Sequence, residues 1–544
     1  MSQTHPSDAD IAAAARIAGV DYTQVERAQL AESLALQIAR AQQRRGFDLG
    51  NALHPATVFD PRLPGFVMPE AEAAPPPAPL TRALPHDEAE IAFASLGELS
   101  GWIRVGLLSS QRLTEIYLDR IARLGPALEC IALATPELAR AQARHADAEL
   151  AAGRWLGPLH GIPYGCKDLL DTADLPTRWG AEPFLDRVPS ADSAVVARLT
   201  AAGAVLVAKT TLGALAYGDI WYGGRTRNPW NIKEGSSGSS AGSGAGTAAG
   251  LFGFSIGTET LGSIVSPSTR CGATGLRPTF GRVSRSGAMA LCWSLDKIGP
   301  ICRFVDDTAL VLAALNGFDI NDPGSIAASL NDDGSAELEG IRVGFFPQDN
   351  TSQLDQSSLD AARALGLTLV ELTRADLPYE TLIDLLSAEA AAAFEELTLS
   401  NRDDLLTWQE NFAWPSSFRR ARFLSAVDHV QLDRLRRLVM IEVNRWFQQV
   451  DAIIGGPLTG PMGIITNFTG HPCLSLPCGF QEIATRTPRG LGVPVATAAD
   501  GVLHRVPHAL WIWGRLFDEG TLLRLGRALE QCFATAGTRP PGFG

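Results

Sequence analysis

Several ingredients that would point to a binding partner are scarce in this sequence. Clustered positive charge is missing: 46 Lys and Arg face 59 Asp and Glu, for a net charge of −13. Nucleic-acid binding relies on clustered cations to displace condensed counterions, so no nucleic-acid partner is expected. No uninterrupted apolar run reaches the roughly 18 residues of a membrane-spanning helix, so no membrane partner is expected. The start, MSQTHPSDADIAAAARIAGV, lacks a basic stretch followed by an apolar one, so no signal peptide is expected either. The eight cysteines, Cys130, Cys166, Cys271, Cys292, Cys302, Cys473, Cys478 and Cys532, are scattered. None forms a CxxC pair matched by a second Cys or His pair. The expectation is therefore free, mostly buried thiols in a reducing cytoplasm, with no metal and no cofactor.

What is present suits a soluble globular protein: 544 residues, 46% hydrophobic and 19% charged. That length allows one large domain with additions, or two to three domains. Residues 1–70 read as a helical extension. Asp8–Val20 is Ala-rich, and Thr23 with Glu26 forms a capping box for a helix reaching about Arg45. Residues 71–90 contain Pro75, Pro76, Pro77 and Pro79 and read as a linker. A short extension buries little surface alone, so it is expected to pack on the main domain or across a homodimer. Over residues 91–540 helical and strand patterns alternate, with no internal repeat. This argues an α/β fold: one large domain with a central mixed, twisted β-sheet covered by helices.

The chain is organised around Gly235–Gly246, GSSGSSAGSGAG, in which all twelve residues are Gly, Ser or Ala. A flexible linker would be flanked by polar sequence. This stretch instead runs into TAAGLFGFSIG, which reads as a packed helix and a buried strand. Backbone passing close to something larger side chains would obstruct is the better reading, with hydroxyls as the chemical groups. Serine-based amide hydrolysis needs a nucleophile, a base and donors for the oxyanion. Ser263 follows a buried strand, and Gly262 before it lets the backbone turn so that successive N–H groups can face one oxygen. None of the nine histidines lies in the small-residue stretch. Lys167, at the end of a buried apolar strand, is a base candidate, because desolvation favours the neutral amine. A salt bridge to adjacent Asp168 is the structural alternative for Lys167.

The segments GIPYGCKDLLDTADLPTRWG, VLVAKTTLGALA, TRNPWN, GSSGSSAGSGAGTAAGL, GTETLGSIVSPSTRCGATGLRPTFGRVSRSG and LDKIGPICRFVDD together resemble the amidase signature family. NFTGHPCLSLPCGF and RLFDEGTLLRL resemble its C-terminal landmarks. The likeness runs in unbroken order over roughly residues 95–535. It implies a Ser–cis-Ser–Lys amide hydrolase. The lysine of the family's GIPxxxKD motif falls on Lys167, and the nucleophile of its GTDxGGS motif on Ser263. Four serines compete for the bridging position. Counting back 24 residues from Ser263 selects Ser239, with Ser240 its neighbour, while Ser236 and Ser237 fall three residues out of register. The resemblance further implies a cis Gly238–Ser239 peptide, an oxyanion hole from the N–H groups of Thr260, Leu261, Gly262 and Ser263, and an acyl-enzyme on Ser263.

Three departures from the family pattern stand out. Leu261-Gly262 replaces a GG pair. Glu259 replaces Asp. Val265 stands where Arg often binds a substrate carboxylate, so an anionic substrate is not expected. Trp179, Tyr217, Trp221 and Tyr222 are candidates to line an apolar pocket for a small-molecule amide, or ordinary packing under a long loop. Two other matches are set aside. Gly238-x-Ser240-x-Gly242 fits a nucleophile elbow but follows a loop rather than a strand. Gly244-x-Gly246-x-x-Ala249 fits a dinucleotide fingerprint but does not open a helix directly after a strand. The alternatives to an amidase are a glutaminase-type subunit of a tRNA-dependent amidotransferase and a catalytically silent scaffold.

Overall fold

The computed structural model describes residues 6–71, 82–349, 352–457, 459–486 and 501–544. The Pro75–Pro79 part of the linker lies outside the described residues. One mixed sheet of 11 strands organises the chain. From edge to edge the strands are Ile131–Ala134, Val205–Thr210, Pro163–Lys167, Phe254–Glu259, Lys297–Cys302, Thr274–Arg277, Cys473–Ala484, Leu503–Gly514, Ala452–Gly455, Arg342–Phe345 and Thr368–Glu371. Pro163–Lys167 lies parallel to both of its neighbours, Val205–Thr210 and Phe254–Glu259. The centre of the sheet is antiparallel, and parallel pairing returns at the far edge. The continuous apolar runs VLVA and AIIG are wholly buried, as strands covered on both faces are.

The helix Ala241–Ala248 has no exposed residue. Its composition is set by close approach. A Cβ on Gly242 would stand 2.2 Å from the Cys130 carbonyl oxygen and 2.5 Å from the Thr211 nitrogen. One on Gly246 would meet the Phe252 ring at 2.4 Å. Ser240 immediately precedes this helix but is separated from the short strand Asn231–Gly235 by four residues, not by the sharp turn of a nucleophile elbow, and Gly244–Gly246 falls inside the helix, away from the strand-to-helix turn a dinucleotide fingerprint needs.

The N-terminal residues form the helices Asp8–Ala18 and Gln24–Arg45, each opened by a reciprocal capping box, Ser7 with Asp10 and Thr23 with Glu26. Arg27 pairs with Asp8 at 2.8 Å, and Arg44 reaches Glu395 of the main body at 2.6 Å. From Gly46 to Phe66 the chain is an irregular strap lying on the main body. The helix Ser110–Leu128 carries Pro126 in its last turn. The strand Leu503–Gly514 forms a long hairpin with Cys473–Ala484.

Gly242→Ala tests the close-approach explanation. Overpacking a tight interior costs typically 1–3 kcal/mol, and the blocking atoms here are backbone. The expected result is a fall in urea-unfolding stability of about 2–3 kcal/mol; a stability equal to that of the wild type overturns the packing argument.

Candidate active site

Two neighbouring parallel strands each carry a buried lysine near the carboxyl end, the usual place for a ligand crevice in parallel sheets. In register, Cys166 faces Lys209 and Lys167 faces Thr210. Successive side chains alternate faces, so Lys167 and Lys209 leave the sheet on opposite sides. Asp168, next in sequence to Lys167, falls on the side of Lys209. The structure follows that alternation. Lys209 Nζ lies 3.7 Å from Asp168 Oδ1 and donates to the Leu170 carbonyl at 2.6 Å, Thr177 Oγ1 at 2.9 Å and Thr172 Oγ1 at 3.0 Å. Burial pushes the Asp168 carboxyl up to about 6, opposed by Lys209. The salt-bridge alternative for Lys167 is thus replaced by an Asp168–Lys209 pair.

Lys167 is wholly buried and contacts hydroxyl and carbonyl oxygens instead. Its Nζ lies 2.9 Å from Ser239 Oγ, 3.0 Å from Ser240 Oγ, 2.8 Å from Thr258 Oγ1 and 3.3 Å from the Thr258 carbonyl. Desolvation holds its pKa well below the ordinary lysine value, with Asp296 and Glu259 pulling weakly the other way. The two serines differ. The Ser240 hydroxyl donates to the Thr258 carbonyl at 3.1 Å and accepts from the Thr258 N–H at 3.1 Å. Its proton is committed to the strand. Ser239 Oγ has Lys167 as its one hydrogen-bond partner among the described residues. The Gly238–Ser239 peptide is cis. Ser236 donates to the Ser237 carbonyl, and Ser237 bonds Ser266 at 2.7 Å, so neither reaches Lys167.

Ser263 sits in the loop between the strand Phe254–Glu259 and the helix Val265–Cys271, 8% exposed. Its carbonyl accepts from the Ser240 N–H at 3.1 Å, which ties the loop to the serine pair. Among the described residues, the Ser263 hydroxyl and the N–H groups of Thr260, Leu261, Gly262 and Ser263 make no hydrogen bond. Gly262 has φ +90°, which only glycine adopts without strain. The buried Glu259 carboxylate holds the far side of the loop. It accepts from Ile264 N at 2.8 Å and Val265 N at 3.0 Å, and pairs with Arg277 at 2.6 Å. Burial pushes the Glu259 pKa up, but Arg277 and Lys297 outweigh it and leave the pKa lowered. The Val265 side chain is buried and apolar and offers no cation for a carboxylate.

The four aromatic candidates separate. Trp179 is buried against Phe184 (4.5 Å between ring centres) and Phe394 (6.3 Å), and Trp221 is buried against Tyr222 (4.8 Å). Tyr222 is half-buried beside Arg178. Tyr217 is 37% exposed, stacks on Trp408 at 5.0 Å and lies tilted against Trp414 at 5.1 Å. Its neighbour Gly218 packs its carbonyl on Gly238, where a Cβ would lie 1.8 Å away, so Tyr217 stands beside the serine pair.

Sequence reading missed Thr258, Arg277, Asp296 and Trp408. Thr258 and Arg277 act through strand neighbours far apart in the chain, and Trp408 comes from helical sequence with no readable motif. Lys297 was also passed over. It is buried beside the site, and desolvation, with Arg277, brings it down to about 7. Among the described residues no cluster of His, Cys, Asp and Glu could hold a metal ion, and no helix is long and apolar enough to cross a membrane.

The amidase family model matches residues 112–523. Putative amidase AmiD of Mycobacterium tuberculosis (strain ATCC 25618 / H37Rv) is 34% identical over 506 residues, covering 87% of this chain and 100% of the relative. A glutamyl-tRNA(Gln) amidotransferase subunit of Methylococcus capsulatus is 31% identical over 471 residues, covering 80% of this chain and 96% of the relative. Among solved structures, a peptide amidase from Stenotrophomonas maltophilia superposes with a TM-score of 0.70 at 28% identity, over 83% of this chain and 98% of its own. Fold and likeness together define an amide-hydrolysing enzyme built on a helix-covered mixed sheet. The chain belongs to the amidase family, in its amidase signature form.

Replacing Glu259 by Gln breaks a buried ion pair and leaves Arg277 uncompensated, a loss of about 3–5 kcal/mol. Urea unfolding of Glu259→Gln is expected to show that loss together with reduced turnover; full stability with normal turnover overturns the supporting role given to Glu259.

Proposed function

We propose that this enzyme hydrolyses an uncharged carboxylic amide through an acyl-enzyme on Ser263, with Ser239 and Lys167 as its proton relay. The observation that carries the reading is the difference between the two serines on Lys167. Ser240 spends its proton on the Thr258 carbonyl, while the Ser239 proton has only the lysine. A neutral amine has two N–H groups and one lone pair. The lone pair accepts from Ser239, which accepts in turn from Ser263 once substrate tightens the site.

Ser263 Oγ attacks the carbonyl carbon as its proton passes to Ser239 and that of Ser239 to Lys167. The N–H groups of Thr260, Leu261, Gly262 and Ser263, free of other partners among the described residues, receive the oxyanion. The C–N bond breaks as the relay returns the proton to the leaving nitrogen. Water then attacks the Ser263 ester through the same relay, releasing a carboxylic acid and restoring the serine. Tyr217, with Trp408 and Trp414, favours an apolar or aromatic substituent on the amide, and Trp179, Trp221 and Tyr222 back that wall. The free thiols support a reducing, cytoplasmic setting. The division into an extension at 1–70, a linker at 71–90 and an amidase domain at 91–540 completes the proposal. So does a homodimer through the exposed Ile17, Val25 and Leu36 of the N-terminal helices.

Ser263→Ala is expected to abolish fluorophosphonate labelling and hydrolysis of a panel of aliphatic, aromatic and peptide amides. Lys167→Ala should lose about 10²–10⁴-fold in kcat, the usual worth of a general base. Equal labelling of Ser263→Ala and the wild type sinks the mechanism. An isolated wild-type chain that labels but hydrolyses no amide without partner subunits points to the amidotransferase-subunit reading.

Because the base must be neutral, kcat/KM should fall as pH drops through the Lys167 pKa, with that limb well below the ordinary lysine range. A limb at the ordinary lysine value overturns the buried-base assignment. Deleting residues 1–45 should give a monomer by light scattering; an unchanged mass refutes the dimer role.

A further inference from the structure

The family model begins at residue 112, so the strap at 46–66 lies outside the sequence it matches, yet it is fastened to the wall of the site. Asn51 forms a two-point clamp on the backbone of one residue: its Nδ2 donates to the Ala290 carbonyl at 2.8 Å and its Oδ1 accepts from the Ala290 N–H at 2.8 Å. The same Nδ2 also donates to the Ala393 carbonyl at 3.3 Å. Eight residues on, Phe59 packs edge-on against Phe280 at 5.1 Å, with the buried Arg436 guanidinium 3.4 Å from the centre of its ring. That guanidinium donates to the Ser294 carbonyl at 2.8 Å and to Ser294 Oγ at 3.0 Å. Both anchors of the strap thus end on the turn at residues 290–294.

The turn leads directly to the oxyanion loop. Leu291 N and Cys292 N donate to Asp296 Oδ2 at 2.8 and 2.9 Å. Thr260 Oγ1 donates to Asp296 Oδ1 at 2.6 Å. Thr260 is the first of the four residues whose N–H groups face the oxyanion. His54 of the strap closes the back of the same region, lining a small cavity with Thr258, Thr260, Leu291 and Lys297.

We infer that Asn51 is a positioning residue for amide hydrolysis, holding the 290–296 turn so that Asp296 fixes Thr260 and with it the oxyanion loop. This rests on the proposed function of that loop. The side-chain amide matches both backbone groups of Ala290 donor for acceptor, as a neighbouring strand would, and among the described residues no strand pairs with Ala290. Losing the clamp leaves both Ala290 polar groups without their partner and frees the turn. The loop N–H groups must be in place before charge develops on the carbonyl oxygen. The loss should therefore appear in the transition state rather than in substrate binding.

The test uses the full chain, with fluorophosphonate labelling of Ser263 as a readout independent of substrate identity and benzoyl 4-nitroanilide as substrate. Asn51→Ala is expected to lower the labelling rate and kcat by roughly tenfold with KM within about twofold, less than the 10²–10³ that loss of an oxyanion donor itself costs. Asn51→Asp, which keeps the acceptor and loses the donors, should fall between Asn51→Ala and wild type. Thr260→Val keeps its backbone N–H but loses the link to Asp296. If the path is one chain, Asn51→Ala combined with Thr260→Val labels no more slowly than the slower single variant. Labelling of Asn51→Ala at the wild-type rate, a change in KM alone, or a double variant whose two losses multiply would each overturn the positioning role. A wild-type chain that fails to label at all overturns the proposed function instead.

Discussion

Everything in the site follows from leaving one amine in the protein interior without a carboxylate to pair with. Lys167 is buried among oxygens that carry no charge, and the acid next to it in sequence is committed elsewhere. Strand alternation makes this division. It sends Asp168 to the face of Lys209, where a cation and an anion balance, and leaves Lys167 on the other face with Ser239, Ser240 and Thr258. An ion pair at Lys167 would have stabilised the ammonium and removed its use as a base. The paired lysine holds the neighbouring loop through Leu170, Thr172 and Thr177, so one strand pair supplies both a structural cation and the amine proposed as the base.

The charges nearest the reaction are kept one step back. Glu259 and Arg277 compensate each other inside the sheet, and Glu259 spends its second oxygen on the two N–H groups that follow Ser263. The loop is thereby pulled from its far end while its own four N–H groups stay unclaimed. Asp296 pulls from the near end through Thr260. In the proposed mechanism, a loop held at both ends and open in the middle would receive charge without having to reorganise, which is what electrostatic preorganisation requires. Leu261 fits this arrangement: what the loop needs is fixed ends and a φ-permissive residue at 262, and it has both.

How much was legible beforehand depended on whether the controlling interaction was local. Thr23 and Glu26 announced a helix start because a capping box needs only neighbours three residues apart. The small-residue stretch announced close packing because no side chain in it exceeds a hydroxymethyl group. Ser239 could be separated from Ser236 and Ser237 through the resemblance to the amidase signature family, whose bridging serine lies 24 residues before the nucleophile. Ser240 could be separated only by seeing where its proton goes. The Asp168–Lys209 pair, the Glu259–Arg277 pair and the Tyr217–Trp408 stack each join segments between 18 and about 190 residues apart. No periodicity in the intervening sequence encodes which strand will lie beside which. The edge strand Thr368–Glu371, half-exposed and set among helices, lacked the continuous apolar run that marked the inner strands.

The burial of the lysines has a consequence for how the surface can be addressed. The sequence contains only Lys167, Lys209, Lys233 and Lys297, and every other permanently cationic side chain is an arginine. Three of the four are sealed inside the sheet, and Lys233 alone is exposed. An electrophile that acylates amines from solvent therefore meets a single lysine side chain, on the short strand leading into the serine-rich segment. Attachment of a dye, a surface or a cross-linker through lysine would be confined to that position, and Lys167, wholly buried, would be spared.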